Sequence, residues 1–394
     1  MGCSIDMKKI NHAKSIIKQY YLEDDRPWAI GFSGGKDSSL VVKLVLGVIK
    51  QIPEQSRKPI RILYCDTGVE IPIFRGYIST TLRNIEHECQ SLGMDVCSKA
   101  VKPKLDNSYF VKVIGRGYPP PTNKFRWCTD KLRIDPIQAA LRDVSGGGDS
   151  LVALGTRYDE SKERDKILSK YSTDKPLMFN QTGHTKTKLF CPIANFSVED
   201  VWNGLVELNF PESVDIHQIS DMYKKVSGEC PIIRLPDKNP CSKGRFGCWT
   251  CTVVRKDKAT HNLIKNGYVS LQPLLDFRNW LLKIRDNLEC RCNVRRNGIK
   301  GLGPFRLSAR EEILKKLLDA QKKSGFELIN EIEIARIQKL WELDVKSHNY
   351  VEEWKGKHLT RKLSTSIEKV RKLFRIGRMV KQNPTLCSSF FLIF

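Results

Sequence analysis

The sequence predicts an α/β protein, a parallel sheet with helices on both faces, followed by a cysteine-rich module and a helical, basic C-terminal region. Three observations lead there. Short apolar runs alternate with segments of helical periodicity over roughly the first 210 residues, the pattern of strands joined by crossover helices. From about Asn209 that periodicity gives way to a stretch rich in Pro, Gly and Cys. At 394 residues the chain is also too long for one small core, which predicts two or three units.

The elements follow in order. From Lys8 to Tyr20, Ile10, Ala13, Ile16, Ile17 and Tyr20 recur at helical spacing. "WAIGFS" reads as a short buried strand, and Ser38 to Lys50 as an apolar helix. "PIRILYCDTG" is a second strand ending in a turn, Phe74 to Leu92 a helix, and "GMDVCSKAV" a third strand. Thr129 to Leu141 is helical, "SGGGDS" is a loop, and "LVALGTR" is a further strand. Beyond the cysteine-rich stretch, Leu271 to Leu288, Ser308 to Gln321 and Glu327 to Leu343 read as helices. The units are placed at 1–210, 211–300 and 301–394.

Charge narrows the partners. There are 67 Lys and Arg against 44 Asp and Glu, a net charge of +23. Ten of the cations lie between Trp354 and Gln382 with one acid, Glu368, and "RCNVRRNGIK" (Arg291 to Lys300) is a second basic run. Clustered cations fit a polyanion, because meeting phosphates releases counterions, and so favour a nucleic acid over a merely solvated face. No apolar run approaches the ~20 residues that span a bilayer, and the N-terminus lacks an apolar signal core. A cytoplasmic protein without a membrane partner is expected. Its thirteen cysteines then point to metal or thiol chemistry, not disulfides.

The segment "IGFSGGKDSS" carries the chemistry. A Walker A loop needs Gly, four residues, then Gly-Lys-Ser/Thr; here Asp37 follows Gly35-Lys36 and Ile30 stands where the first Gly belongs. The dinucleotide fingerprint is absent as well. What remains is a Ser-Gly-Gly-Lys-Asp-Ser loop between a buried strand and a helix. Gly34 and Gly35 permit close approach, the helix N-terminus presents N–H groups to an anion, Ser33 and Ser38 add hydroxyls, and Lys36 adds charge.

This loop resembles that of the N-type ATP pyrophosphatases, the PP-loop enzymes. The resemblance implies that it grips the pyrophosphate released when ATP becomes AMP. Three further segments are similar to the phosphoadenosine-phosphosulfate reductase branch of that superfamily. They are "LYCDTGVE" with Asp66 and Thr67, "FRWCTDKLRIDP" with Cys128, Thr129, Lys131 and Arg133, and "LGTRYDESKERDK" with Gly155, Arg157, Glu160, Ser161 and Arg164. "PIANFSVEDVW" matches the stretch that follows in the branch. An adenosine nucleotide α-hydrolase-like fold is implied. So is a nucleotide site of Ser33, Gly34, Gly35, Lys36, Asp37, Ser38, Asp66, Thr67, Gly155, Arg157, Glu160 and Arg164, with Mg²⁺ on the nucleotide and Asp37 a candidate ligand.

Cys230, Cys241, Cys248 and Cys251 fall within 22 residues. Four thiolates select zinc or an iron–sulfur cluster, and spacing does not separate the two; buried structural thiols are the plainer alternative. Cys290 and Cys292 are possible substitutes. "CSKGRFGCWTCTVVRKDK" and "GPFRLSAREEILKKLLDAQ" resemble the DndC family of DNA phosphorothioation sulfurtransferases. That resemblance implies a [4Fe-4S] cluster rather than zinc, DNA as substrate, a cysteine desulfurase as sulfur donor, and further proteins of the modification system as partners. Lys36, Asp37 and Arg157 would then serve adenylylation of the DNA phosphate. Cys128, flanked by Arg126, Lys131 and Arg133, would carry sulfur as a thiolate of lowered pKa, unless it is simply packed or a cluster sulfide does so. A tRNA thiolase, a phosphoadenosine-phosphosulfate reductase and a non-enzymatic iron–sulfur DNA-binding protein are the alternatives. Against the reductase, Cys387 in "TLCSSF" lacks the Glu-Cys-Gly-x-His setting of such enzymes.

Overall fold

A computed structural model describes residues 7–158, 160, 162–180, 187–227 and 247–346. The described residues up to Asn330 form one compact unit, and those from Glu331 to Lys346 belong to a second.

The first unit opens with helix α1 (Met7–Glu23), whose Ile10, Ala13, Ile16, Ile17 and Tyr20 are buried as their spacing requires. Strand β1 (Trp28–Phe32) leads through the Gly-rich loop into α2 (Lys36–Lys50), then β2 (Ile60–Cys65), α3 (Pro72–Gln90) and β3 (Val96–Val101). Helix α4 (Trp127–Thr129) continues through a π-helical stretch, Asp130–Ile134, into α5 (Asp135–Ser145), and β4 (Ser150–Ala153) follows. Next come α6 (Lys162–Tyr171), β5 (Met178–Asn180), β6 (Thr187–Phe190), α7 (Val198–Glu207) and α8 (Ile216–Ser227). After Gly247 lie α9 (Lys258–Lys265), α10 (Gln272–Ile284) and α11 (Leu307–Ser324). The second unit holds α12 (Glu331–Lys346). None of the described helices is long and apolar enough to cross a membrane.

The six strands form one sheet in the order β3-β2-β1-β4-β6-β5. All neighbours are parallel except β5 and β6. The four long apolar runs are thus strands as expected. The edge pair β5–β6 was not foreseen, because three- and four-residue strands carry too little periodicity to register. Both faces of the sheet are covered. Trp28, Ile30 and Phe32 pack with Ile60, Ile62 and Leu151 against α1, α2 and α7, while Ala29, Leu63 and Val152 meet Ala140 and Leu141 of α5. Each fully buried Ile, Leu or Val contributes about 1.5–3 kcal/mol.

Local signals explain several boundaries. Ser197 and Asp200 form a reciprocal capping box at the start of α7, and Lys9 reaches Asp200 at 2.7 Å, tying α1 to that cap. Gly146 ends α5 in the left-handed conformation. Helix α2 starts two residues earlier than the sequence suggested, at Lys36, so Lys36 and Asp37 sit in its first turn.

The chain leaves β1 toward β2 on one side and returns to β4 on the other. Such a reversal opens a crevice at the carboxyl ends of the two strands, where open α/β sheets take their ligands. The Gly-rich loop and Gly155 to Arg157 line that crevice.

Candidate functional site

Ser33 to Ser38 is held in shape by its own polar groups. The Ser33 N–H donates to Ser38 Oγ at 3.1 Å, the two hydroxyls lie 3.1 Å apart, and Ser38 Oγ donates to the Gly35 carbonyl at 3.0 Å. Gly34 has φ +74°, and a Cβ there would come within 2.5 Å of Ile78 Cγ1, so both conformation and space demand glycine.

The first turn of α2 concentrates charge. Lys36 Nζ donates to Asp37 Oδ2 at 2.7 Å, and Arg157 Nε donates to Asp37 Oδ1 at 2.6 Å. Arg157 also donates to the Phe196 carbonyl at 2.9 Å. Burial works to raise the Asp37 pKa, but Lys36 and Arg157 outweigh it and hold the carboxyl below its ordinary value. Gly155 makes this meeting possible. A Cβ on it would fall 2.7 Å from Asp37 C and Ser38 N, so only glycine lets the segment after β4 lie against the start of α2. Both Asp37 oxygens serve Lys36 and Arg157, which fits Asp37 as the counter-ion of that cation pair. A Mg²⁺ ion there would have to compete with both.

At the end of β2, Asp66 accepts from Arg75 at 2.8 Å and from the Gly68 N–H at 3.0 Å. Thr67 Oγ1 donates to Glu70 Oε1 at 2.5 Å and lies 3.9 Å from Cys248 Sγ. The Cys248 segment pairs with this turn: Glu70 and Cys248 form an antiparallel bridge, and the Trp249 N–H donates to the Val69 carbonyl at 3.0 Å. The structure therefore brings Asp66 and Thr67 beside the cysteine segment.

Thiols gather at this junction. Cys65 donates to the Leu132 carbonyl at 3.1 Å, and Arg133 Nη2 donates to Cys248 Sγ at 3.7 Å. Burial pushes the Cys65 thiol up to about 12 and, despite Arg133, the Cys248 thiol up to about 11. Cys128 corrects an expectation. Its pKa is raised, first by burial and next by the neighbouring Cys251, while Thr129 and Arg133 only partly oppose this. The flanking cations do not prevail because Lys131 is paired with Asp135 at 2.9 Å and Arg126 donates to Asn123.

Among the described residues no three Cys, His, Asp or Glu side chains converge as a metal site. Cys248 and Cys251 are described, whereas Cys230 and Cys241 lie outside the described residues. Two thiols of the expected four do not make a complete donor set.

The model of the phosphoadenosine phosphosulfate reductase domain matches residues 27–254, more than half of the chain. The chain belongs to this family. An uncharacterized protein of Methanocaldococcus jannaschii is 24% identical over 259 residues, 64% of this chain and 46% of that protein. The chain thus spans about half the length of the curated relative it matches. Among solved structures, the U34-tRNA thiolase NcsA of Methanococcus maripaludis, determined with its [4Fe-4S] cluster, has a TM-score of 0.35 at 18% identity. It covers 75% of this chain and 86% of its own. A phosphoadenylyl-sulfate reductase of Candida auris in complex with phosphate has a TM-score of 0.30 at 14% identity, covering 52% of this chain and 89% of its own.

Two other expected residues of this reductase-family domain lie farther along the chain. Glu160 lies between β4 and α6; Arg164 is on α6, its side chain outside the described residues. Two contributors were not legible in the sequence. Tyr223 of α8 accepts from the Lys36 N–H at 3.3 Å, and its ring lies 5.4 Å from Lys36 Nζ. Arg278 of α10, fully buried, donates to the carbonyls of Cys251 (2.9 Å), Arg255 (3.0 Å) and Val254, fixing the cysteine segment. Their contacts span 187 and 27 residues, and no local pattern announces them.

Proposed function

We propose that the protein is an ATP-dependent sulfurtransferase that adenylylates a DNA backbone phosphate and replaces a non-bridging oxygen by sulfur. The observation that supports this most is the cation pair Lys36–Arg157, assembled on Asp37 in the crevice between the ends of β1 and β4. Two buried cations at a helix N-terminus suit a pyrophosphate leaving group. The loop's Ser-Gly-Gly-Lys-Asp-Ser order and its resemblance to PP-loop enzymes make ATP the source.

In the first step a phosphodiester oxygen attacks the α-phosphorus of ATP, and the bond to the bridging oxygen breaks to release pyrophosphate. Lys36 and Arg157 offset the charge that develops on it. A persulfide sulfur then attacks the DNA phosphorus and AMP leaves. A second thiol then attacks the inner, protein-bound sulfur of the resulting S–S–P linkage, forming a disulfide with the carrier cysteine and leaving the outer sulfur on phosphorus as the phosphorothioate. Cys128 is the proposed carrier, loaded by a cysteine desulfurase. Its raised pKa suits storage as a protonated thiol until a persulfide, a stronger acid, is formed on it. Cys248 and Cys251, with Cys230 and Cys241, would hold an iron–sulfur cluster, and other proteins of a phosphorothioation system would be partners.

Mass spectrometry of digested DNA tests the reading. Sulfur-linked dinucleotides should appear in cells carrying the gene and vanish with Lys36→Met. Unchanged DNA together with loss of thiolated tRNA bases would overturn it in favour of tRNA thiolation. The iron, sulfide and zinc content of anaerobically purified protein tests the cluster separately.

A further inference from the structure

We infer that Tyr118 to Arg126, together with the basic loop after Arg291, forms a ledge for single-stranded DNA on which Phe125 stacks a nucleobase. This deepens the nucleic-acid reading above and rests on it for the choice of DNA.

Two stretches of sequence meet here. Residues 116–127 carry three cations and residues 291–306 five, and neither contains an Asp or Glu. The second stretch folds back on itself through bridges between Arg291 and Phe305 and between Val294 and Lys300. It joins the first where the Phe305 N–H donates to the Gly117 carbonyl at 2.7 Å, and where Arg296 donates to the Arg116 carbonyl. The Arg296 guanidinium lies 5.2 Å from the centre of the Tyr118 ring. Asp106 pairs with Arg116 at 3.6 Å and Arg291 is buried, but Lys124, Arg126, Arg295, Arg296 and Lys300 are exposed, and that excess of positive charge is complementary to phosphates.

The aromatic part is ordered before any ligand arrives. Phe125 is 45% exposed, and its ring lies over that of Tyr118, with centroids 6.4 Å apart and planes 20° from parallel. The Thr122–Phe125 turn is closed by two backbone hydrogen bonds of 3.2 Å. Pro119, Pro120 and Pro121 precede it. Trp127 Nε1 donates to the Pro119 carbonyl at 2.9 Å, and Thr252 Oγ1 donates to the Pro121 carbonyl at 2.8 Å. That last bond ties the ledge to the segment bearing Cys248 and Cys251, so a strand lying on it runs beside the thiols.

An exposed ring on a rigid turn, flanked by Lys124 and Arg126, fits a single strand better than a duplex. Bases in a duplex are stacked on one another and offer no free face, whereas an unpaired base offers one at no cost in specificity. The Lys and Arg side chains take the phosphates on either side.

Fluorescence anisotropy with labelled oligonucleotides of one sequence, as single-stranded DNA, duplex DNA and single-stranded RNA, tests this on the full chain. Phe125→Ala should weaken single-stranded DNA binding on the order of 5- to 100-fold, while Phe125→Trp retains it. Replacing Arg126, Arg295 and Lys300 by Gln should flatten the dependence of log K on log salt by roughly 0.7 per cation removed. Melting temperature and binding of an ATP analogue serve as controls for folding. Equal binding by wild type and Phe125→Ala on every oligonucleotide would overturn the ledge and leave the proposed function standing. A Phe125 effect on the RNA strand alone would overturn DNA as the substrate, and with it the proposed function, but uphold the stacking role.

Discussion

Replacing Asp37 by Asn keeps the shape of the side chain and removes its charge. The carboxylate is where two buried cations meet: the side chains of Lys36 and Arg157 are 6% and 3% exposed, at 2.7 and 2.6 Å from its two oxygens. An amide oxygen can still accept one of those hydrogen bonds, but the NH₂ group then faces the other donor. Leaving a buried charge without its partner costs about 3–5 kcal/mol. In a unit this large each kcal/mol moves the melting temperature by roughly 2 °C, so differential scanning fluorimetry should place Asp37→Asn roughly 6–10 °C below wild type. Adding Lys36→Met removes the donor that the amide opposes. The double variant should therefore be more stable than the sum of the single changes by about 1 kcal/mol or more. The pH profile carries a sign. Because the folded carboxyl titrates below its ordinary value of 3.8, its stabilisation is present above that value and is lost as pH falls through the lower one. The gap between wild type and Asp37→Asn should accordingly close below about pH 4. A melting temperature within about 1 °C of wild type at neutral pH, or strict additivity in the double variant, would refute the assignment of Asp37 as counter-ion.

Two other changes probe the frame around the site. Gly155→Ala puts a methyl 2.7 Å from the backbone of Asp37 and Ser38, which cannot swing aside as a side chain would. The proposed release of pyrophosphate from ATP should fall on the order of 100-fold with an unchanged circular dichroism spectrum, and a rate within about twofold of wild type would show that the β4 segment can retreat freely. Lys43, 4% exposed, has its pKa lowered by burial despite Glu88, Asp215 and Glu212. The folded state therefore releases that proton before the unfolded chain does, and wild-type stability gains as pH rises toward 10.5. Melting temperatures of wild type and Lys43→Met should converge, or shift in favour of wild type, between pH 7 and 10. A constant difference would sink this account of Lys43.

Much of the fold was legible along the chain. The apolar runs of β1, β2, β3 and β4, the spacing of Ile10 to Tyr20, and the glycines at 34 and 35 are local features, and local sterics and burial give them one outcome. The loop was identifiable because its amides, hydroxyls and Lys36 occupy consecutive positions. The expectation of a lowered pKa at Cys128 failed for the opposite reason. Flanking cations are a local signal, but a thiol's pKa depends on burial and on which partners those cations choose, and Lys131 chose Asp135.

The sequence by itself thus determined the strand–helix alternation, the Gly-rich loop between strand and helix, and the close spacing of four cysteines. Only the tertiary structure decided that Asp37 binds Lys36 and Arg157 together, that Thr67 and Arg133 face Cys248, and that Phe125 and Arg296 flank one tyrosine. Each of those meetings joins residues whose separation along the chain exceeds any helical or strand period, except Lys36 with Asp37. Packing of the sheet and its covering segments, not propensity, brings them within a few ångströms.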